Sequence, residues 1–215
     1  MVIEILNKNG LKTGRKIKFN YNFISNNINI KTKNHLIYLE IKRFLAAKRQ
    51  GSHQTKSRSQ IQGSNKKIQK QKGSGNARKG DIKNPLFVGG GRIFGPVKRK
   101  YNLKLNKKIK KIAIKTLFYY KLINKQIKII EPFMLKQISS KTIKKLLNKL
   151  NIFKKKILII TNKRDKNLYF SSRNFQNVKI INIRNGINSY DIAKAYYLII
   201  KENSIKYLEN MLNKR

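Results

Sequence analysis

The chain contains no cysteine in its 215 residues, which excludes a disulfide framework and a thiolate metal site. Acidic residues are scarce. Eight Asp and Glu stand against 52 Lys and Arg, giving a formal charge of +44. The eight are Glu4, Glu40, Asp81, Glu131, Asp165, Asp191, Glu202 and Glu209, scattered without metal-ligand spacing or an acid/base pair. Catalysis by paired carboxylates or a bound metal therefore finds no constellation, and no metal or cofactor is expected. Asp191 and Glu202 read as local caps or pairs. His35 and His53 are the only histidines; they lie far apart, with no carboxylate beside them in sequence, and read as ordinary surface residues. No segment joins a long apolar run to flanking charges, so no membrane partner is expected. The N-terminus, MVIEILNKNG, has no basic n-region followed by an apolar h-region. The protein is therefore expected to stay in the compartment where it is made.

What the chain does have is positive charge. A free molecule with this imbalance repels itself strongly, and residence against a polyanion is the simplest resolution. Hydrophobic residues still make up 40% of the chain, enough for a core. The bias toward Ile, Asn and Lys over Val, Gln and Arg suggests an AT-rich genome, bacterial or organellar.

The charge is most concentrated at residues 48–100, which hold fifteen Lys or Arg, one acid (Asp81) and nine of the twelve glycines. Such a stretch cannot bury enough apolar side chain to offset its ordering entropy. It needs a densely anionic partner, and nucleic acid fits. As a hairpin-like excursion, each arm could reach at most ~80 Å. Long internal loops of this kind are usually functional.

Globular chain flanks the stretch on both sides. Val2 to Leu6 reads as a strand, Gly10 and Gly14 as turn residues, and Arg15 to Phe19 as another extended piece. Residues 20–34 are Asn-rich and ambiguous. Ile37, Ile41, Phe44 and Leu45 have helical spacing, with Asn34 as a possible cap. After the basic stretch, Ile109, Ile112, Ala113, Thr116, Leu117 and Tyr120 define a helical face capped by Asn106. Ile143, Leu146, Leu147 and Leu150 define another, capped by Ser139 or Ser140. Ile127 to Ile130, Ile157 to Ile160, Val178 to Ile183 and Tyr197 to Ile200 are buried-strand runs. Ile205, Leu208, Met211 and Leu212 mark a final helix. Short strands alternating with helices predict an α/β domain. The expected organisation is one globular domain, residues 1–47 and 101–215, with a mainly parallel sheet covered by helices. Residues 48–100 form a long extended basic loop inserted in it.

Within the loop, Gly63 to Gly80 is the expected tip, where alternating Gly and cations let the backbone approach phosphates. The spacing of Gly73, Gly75 and Gly80 fits neither dinucleotide-binding nor P-loop patterns. Leu86, Phe87, Val88, Ile93 and Phe94 form an apolar island. Packing on the globular body is its expected role, with groove insertion or base stacking as the alternative. Lys107, Lys108, Lys110 and Lys111 are expected to add phosphate contacts.

Taken together, these residues resemble the universal large-subunit ribosomal protein L-four family, bacterial or organellar type. The resemblance rests on Arg49-Gln50-Gly51, Thr55-Lys56, Arg58, Gly63-Ser64, Lys66-Lys67, Gln71 to Gly75, Ala77-Arg78 and Gly80. Pro85, Gly89-Gly90-Gly91, Phe94-Gly95-Pro96 and Asn106-Lys107-Lys108 continue it. Asn167-Leu168-Tyr169, Ser172-Arg173-Asn174, Asn177-Val178 and Ser189 to Ile192 extend it into the C-terminal half. Ile68-Gln69 replaces the family's Pro-Trp, and Asn76 stands where Arg is frequent.

The resemblance implies a structural constituent of the large ribosomal subunit, not an enzyme. Such a protein binds large-subunit rRNA during assembly, and its loop lines the peptide exit tunnel beside ribosomal protein L-twenty-two and the nascent peptide. The expected rRNA contacts are Arg49, Lys56, Arg58, Lys66, Lys67, Lys70, Lys72, Arg78, Lys79, Lys83, Arg92, Lys107 and Lys108. Gly63, Ser64, Gly73, Gly75, Gly80, Gly89, Gly90 and Gly91 are expected to shape the loop backbone and tip. The implied location is the cytoplasmic ribosome of an AT-rich bacterium or an organelle ribosome. A general nucleic-acid compaction protein or RNA chaperone is the alternative reading.

Overall fold

A computed structural model describes residues 2–18, 29–135 and 137–213. Phe19 and the Asn-rich residues 20–28 lie outside this set. The chain divides into two compact units, Met1–Phe44 with Lys104–Arg215, and Leu45–Leu103.

The first unit is built on one six-stranded sheet. Its strands are β1 Val2–Leu6, β2 Lys12–Lys18, β3 Ile127–Ile130, β4 Ile157–Thr161, β5 Val178–Asn182 and β6 Tyr197–Lys201. They lie in the order β2-β1-β3-β6-β4-β5. Only the β1–β2 pairing is antiparallel; the others are parallel. In register, Ile129 faces Ile200 and Ile160 faces the same Ile200 from the other side. The edge strand β2 carries Lys12, Arg15, Lys16 and Lys18, and that charge guards its open edge. Gly14 lies inside β2 rather than in the expected turn. It sits where the pairing slips between Glu4 and Leu6, so its role is in a bulge.

The helices are α1 Ile30–Ala47, α2 Lys107–Ile123, α3 Ser140–Lys149, α4 Lys166–Ser172, α5 Ser189–Lys194 and α6 Ile205–Asn213. Strand alternation sorts the core onto both sheet faces. Ile129, Leu158, Ile160, Leu198 and Ile200 pack with Leu117 and Phe118 of α2, Ile192 of α5 and Leu208 of α6. Ile130, Ile157, Ile159 and Ile199 point the other way, to Ile143 and Leu147 of α3 and Leu168 of α4.

Three local expectations change. Helix α1 starts before Asn34: Asn29 Oδ1 accepts from Lys31 N at 3.3 Å, and Asn34 Oδ1 accepts from the Tyr120 hydroxyl at 2.9 Å. An Asn-rich stretch offers several candidate caps, and spacing alone does not choose among them. Along α2 the buried stripe runs through Ala113, Thr116 and Leu117 to Phe118 and Leu122, leaving Tyr120 half-buried. Asn106 occupies the cap position of α2 without a side-chain cap bond, whereas Ser139 does cap α3 by accepting from Thr142 N. The third change concerns Asp191 and Glu202. They pair, but at long range: Asp191 takes Lys179 at 2.6 Å and Glu202 takes Arg15 at 3.2 Å. Arg15 also pairs with Glu131, so one guanidinium ties β2 to the chain just beyond β3 and β6.

The second unit has no helix or strand of its own between residues 48 and 103. It is a hairpin fastened at intervals. Arg99 N donates to Gly51 O at 3.3 Å, Thr55 N to Pro96 O at 3.0 Å and Arg92 N to Lys56 O at 2.9 Å. Further out, Ile68 N donates to Gly80 O at 3.2 Å, and the Gln69 amide donates to Ala77 O at 2.9 Å. Residues 70–76 are left as the closing turn, within the segment expected to form the tip. Consecutive turns run from Asp81 to Gly90. At Gly91 the two arms touch. A methyl group there would stand 2.7 Å from Arg58 Cα and 2.8 Å from Ser57 C, and closer still to the Arg58 nitrogen.

Two outcomes follow from this packing. Leu198→Ala, in the fully buried middle of the sheet, is expected to lower stability by about 2–5 kcal/mol, read by thermal melting of circular dichroism. Gly91→Ala is expected to spread the arms of the hairpin. Limited trypsin digestion should then cut residues 56–92 faster, while the melting of the sheet stays unchanged.

Candidate nucleic-acid interface

The hairpin's cations point outward. Arg49, Lys56, Lys66, Lys67, Lys70, Lys72, Arg78, Lys79 and Arg92 are exposed, and Lys83 is half-buried. Lys67 Nζ donates to Gln71 Oε1 at 3.0 Å, which braces one side of the closing turn. Gly73 and Gly75 in that turn have positive φ, as does Gly89. Ser64 Oγ accepts from Lys66 N at 3.1 Å beside Gly63. Gly80 and Gly90 are half-buried and Gly91 is buried, so these three shape the arms rather than line their surface.

Arg58 is the exception among the cations. Its Nη2 donates to Asp81 Oδ2 at 2.9 Å, and Asp81 is only 8% exposed. The hairpin's single acid is thus consumed internally, clasping residue 58 to residue 81. Arg58 itself keeps 60% of its side chain in solvent. The remaining cations face outward with no acid of their own unit to answer them.

At the base of the hairpin, Tyr101 gathers a cluster that residue spacing did not reveal. Arg49 lies 3.9 Å and Arg99 4.6 Å from its ring centroid. His53 Nε2 is 2.8 Å from its hydroxyl, and Arg49 Nη2 donates to that oxygen at 3.3 Å. Hydrogen bonding from Arg99, reinforced by the charges of Arg49 and Arg99, holds the phenol below its ordinary pKa. His53 therefore has a structural partner, where sequence distance gave it none. The available signal was the aromatic placed directly after Arg99-Lys100, facing Arg49 across the hairpin.

The first unit adds charge at α2. Lys107 and Lys108 are exposed in its first turn, which carries no acid. Cations at a helix N-terminus oppose the macrodipole, by about 0.3–1 kcal/mol each, and a neighbouring phosphate would reverse that sign. Further along the same helix, burial and then the charge of Lys111 hold the Lys115 ammonium below its usual pKa.

The apolar island is mostly in solvent. Leu86, Val88, Ile93 and Phe94 are exposed, and only Phe87 is half-buried. The first unit also holds a cavity of about 340 Å³ lined by Phe133, Leu135, Ile143, Leu146 and Leu168 and rimmed by Lys8, Lys145 and Lys149. Its lining is apolar and basic and brings no carboxylates together. Among the described residues, no helix is long and apolar enough to cross a membrane.

Comparison with known proteins identifies the family. A model of the ribosomal protein L4/L1 family matches residues 25–211. Large ribosomal subunit protein uL4 of Phocaeicola vulgatus is 40% identical over 213 residues, covering 99% of this chain and all of the relative. The protein of the same name from Bacteroides thetaiotaomicron is 38% identical over 212 residues, with 99% of this chain and all of the relative covered. That from Amoebophilus asiaticus is 41% identical over 213 residues, 99% of each chain. The similarity reaches further toward the N-terminus than the motifs of the hairpin do. A basic hairpin on a six-stranded α/β unit, matched over nearly its whole length, places this chain in the ribosomal protein L4/L1 family, a family of structural ribosomal proteins rather than enzymes.

Proposed function

We propose that this chain is a structural constituent of the large ribosomal subunit. It binds large-subunit rRNA during assembly, and its hairpin lines the peptide exit tunnel. The observation that carries the reading is the hairpin itself: fifteen cations and one acid, with that acid locked internally by Arg58. An outward face of one sign, with glycines at the closing turn, suits a surface that follows a phosphate backbone. Arg49, Lys56, Lys66, Lys67, Lys70, Lys72, Arg78, Lys79, Lys83 and Arg92 take the phosphates, with Arg58 sharing its exposed edge. Lys107 and Lys108 of the first unit add phosphate contacts of their own.

The turn of residues 70–76 then approaches the nascent peptide, near ribosomal protein L-twenty-two. The setting is the cytoplasmic ribosome of a bacterium with an AT-rich genome.

Sedimentation of a native lysate through sucrose after a high-salt wash tests the assignment. Stoichiometric retention with the large subunit is expected. Recovery at the top of the gradient, or spread through DNA-bearing fractions, would instead make the chain a general nucleic-acid binder. With six to ten phosphate contacts, affinity for large-subunit rRNA is expected to fall by roughly 10³- to 10⁵-fold between 50 and 200 mM salt in filter binding. The double substitution Lys66→Glu and Lys67→Glu is expected to leave thermal melting unchanged while weakening rRNA binding. A lowered melting temperature would place those lysines in the fold instead of on the RNA.

A further inference from the structure

We propose that Phe94 is a preset stacking wedge for an unpaired RNA base. The proposal rests on the rRNA-binding reading and names a chemical contact within it.

The geometry comes from the spacing of two anchors. Arg92 N donates to Lys56 O at 2.9 Å, and Thr55 N donates to Pro96 O at 3.0 Å. Thr55 and Lys56 are consecutive, while Arg92 and Pro96 are four residues apart. The intervening Ile93, Phe94 and Gly95 therefore make no backbone hydrogen bond to the other arm, and the returning arm bulges there. Phe94 is at the apex, in the left-handed backbone region at φ 52°. That region is disfavoured for a bulky side chain and persists only where its surroundings enforce it. Gly95 enforces it from one side: a methyl group there would stand 3.0 Å from Thr55 Cβ and closer to Oγ1. The result is a phenyl ring that is fully exposed, at 103%. Val88 and Leu86 are exposed on the turns just before the bulge.

A clamped bulge that presents an aromatic ring to water calls for a partner that covers the ring. The surroundings select which partner. Lys56, Arg92 and Lys98 are all exposed near the bulge, and the unit's only acid is buried elsewhere. A basic or neutral apolar groove would leave those cations unanswered. An unpaired base offers an apolar face attached to a phosphate, and so answers the ring and the cations together. Duplex RNA hides its base faces and satisfies only the cations.

The chain has no tryptophan, so Phe94→Trp introduces a single indole at the apex, excited at the red edge of absorption where the ten tyrosines do not contribute. The full-length variant is titrated at fixed salt with a short single-stranded oligoadenylate, and separately with an RNA duplex of similar length. Strong quenching by the single strand and weak quenching by the duplex are expected. Phe94→Gly removes the ring in a residue suited to positive φ, so the bulge keeps its shape. It is expected to weaken single-strand binding roughly 5- to 150-fold, with Phe94→Tyr restoring it. Unchanged emission in a saturated RNA complex, or unchanged affinity of Phe94→Gly, would overturn the wedge. So would a blue shift produced by another ribosomal protein and not by RNA. Loss of rRNA binding by the unaltered chain would instead remove the underlying functional reading, so the two failures are separable.

Discussion

The constraint on which the rest of this structure depends is electrostatic. A net charge of +44 on 215 residues sets every cation against its neighbours. At physiological ionic strength screening acts over about 8 Å, which is longer than the spacing of adjacent lysines on a helix or a hairpin arm. The few acids are placed accordingly. Among the described residues, seven of the eight form ion pairs, from Glu4 with Lys12 to Asp165 with Lys201. Several of those pairs are cross-links: Arg15 joins two strand ends, Lys179 reaches Asp191, and Arg58 holds Asp81. The acids are used to fasten the molecule, and the outward field is left positive.

The two units answer the same constraint by different means. The sheet unit has apolar surface to bury, and Ile and Leu on both faces of the strands supply a conventional core. It can carry surface lysines because burial of order 1.5–3 kcal/mol per large apolar side chain outweighs their repulsion. The hairpin has no such resource. It is held by isolated backbone bonds, one ion pair and the stacking around Tyr101. Each of these is worth about a kilocalorie or two, and each orders a long flexible segment. A segment assembled this way has lower local stability than the sheet unit, and each fastening orders only its own neighbourhood.

That difference also explains what could be read from sequence. Strands β3 and β4 and helices α3 and α6 were legible because burial on a fixed period leaves a repeating mark. Helices α4 and α5 were not, since seven and six residues are too short to show a helical period. Asp165 caps α4 from outside any apolar pattern. The hairpin's charge and glycine content identified its chemistry, but its cross-arm partners are set by loop geometry. His53 lies 48 residues from Tyr101, and Arg58 lies 23 from Asp81, distances at which no local pattern operates. Family motifs located the hairpin, yet only the arrangement of its turns puts Phe94 in solvent while Phe87 is half-buried.

Charge alone leaves a further problem, because a long basic hairpin can slide along a polyanion with little change in energy. Phosphate contacts supply affinity at every register; the contacts that fix one register are short-ranged. Were the hairpin to bind RNA as proposed, three features at separate points along its length would supply such contacts. The Arg49–Tyr101–Arg99 stack lies at its base, the Phe94 bulge on its returning arm, and the Gln69-closed turn at its far end. Each is specified by a short-ranged contact at one point, a hydrogen bond, a cation over a ring or a close backbone approach, rather than by net charge. An outward lysine lost from the arms is one of many like charges, whereas Arg49, Arg58 and Arg99 also hold the hairpin together. A feature that sets register has no substitute, and its loss would leave a hairpin that still binds but no longer binds in one place.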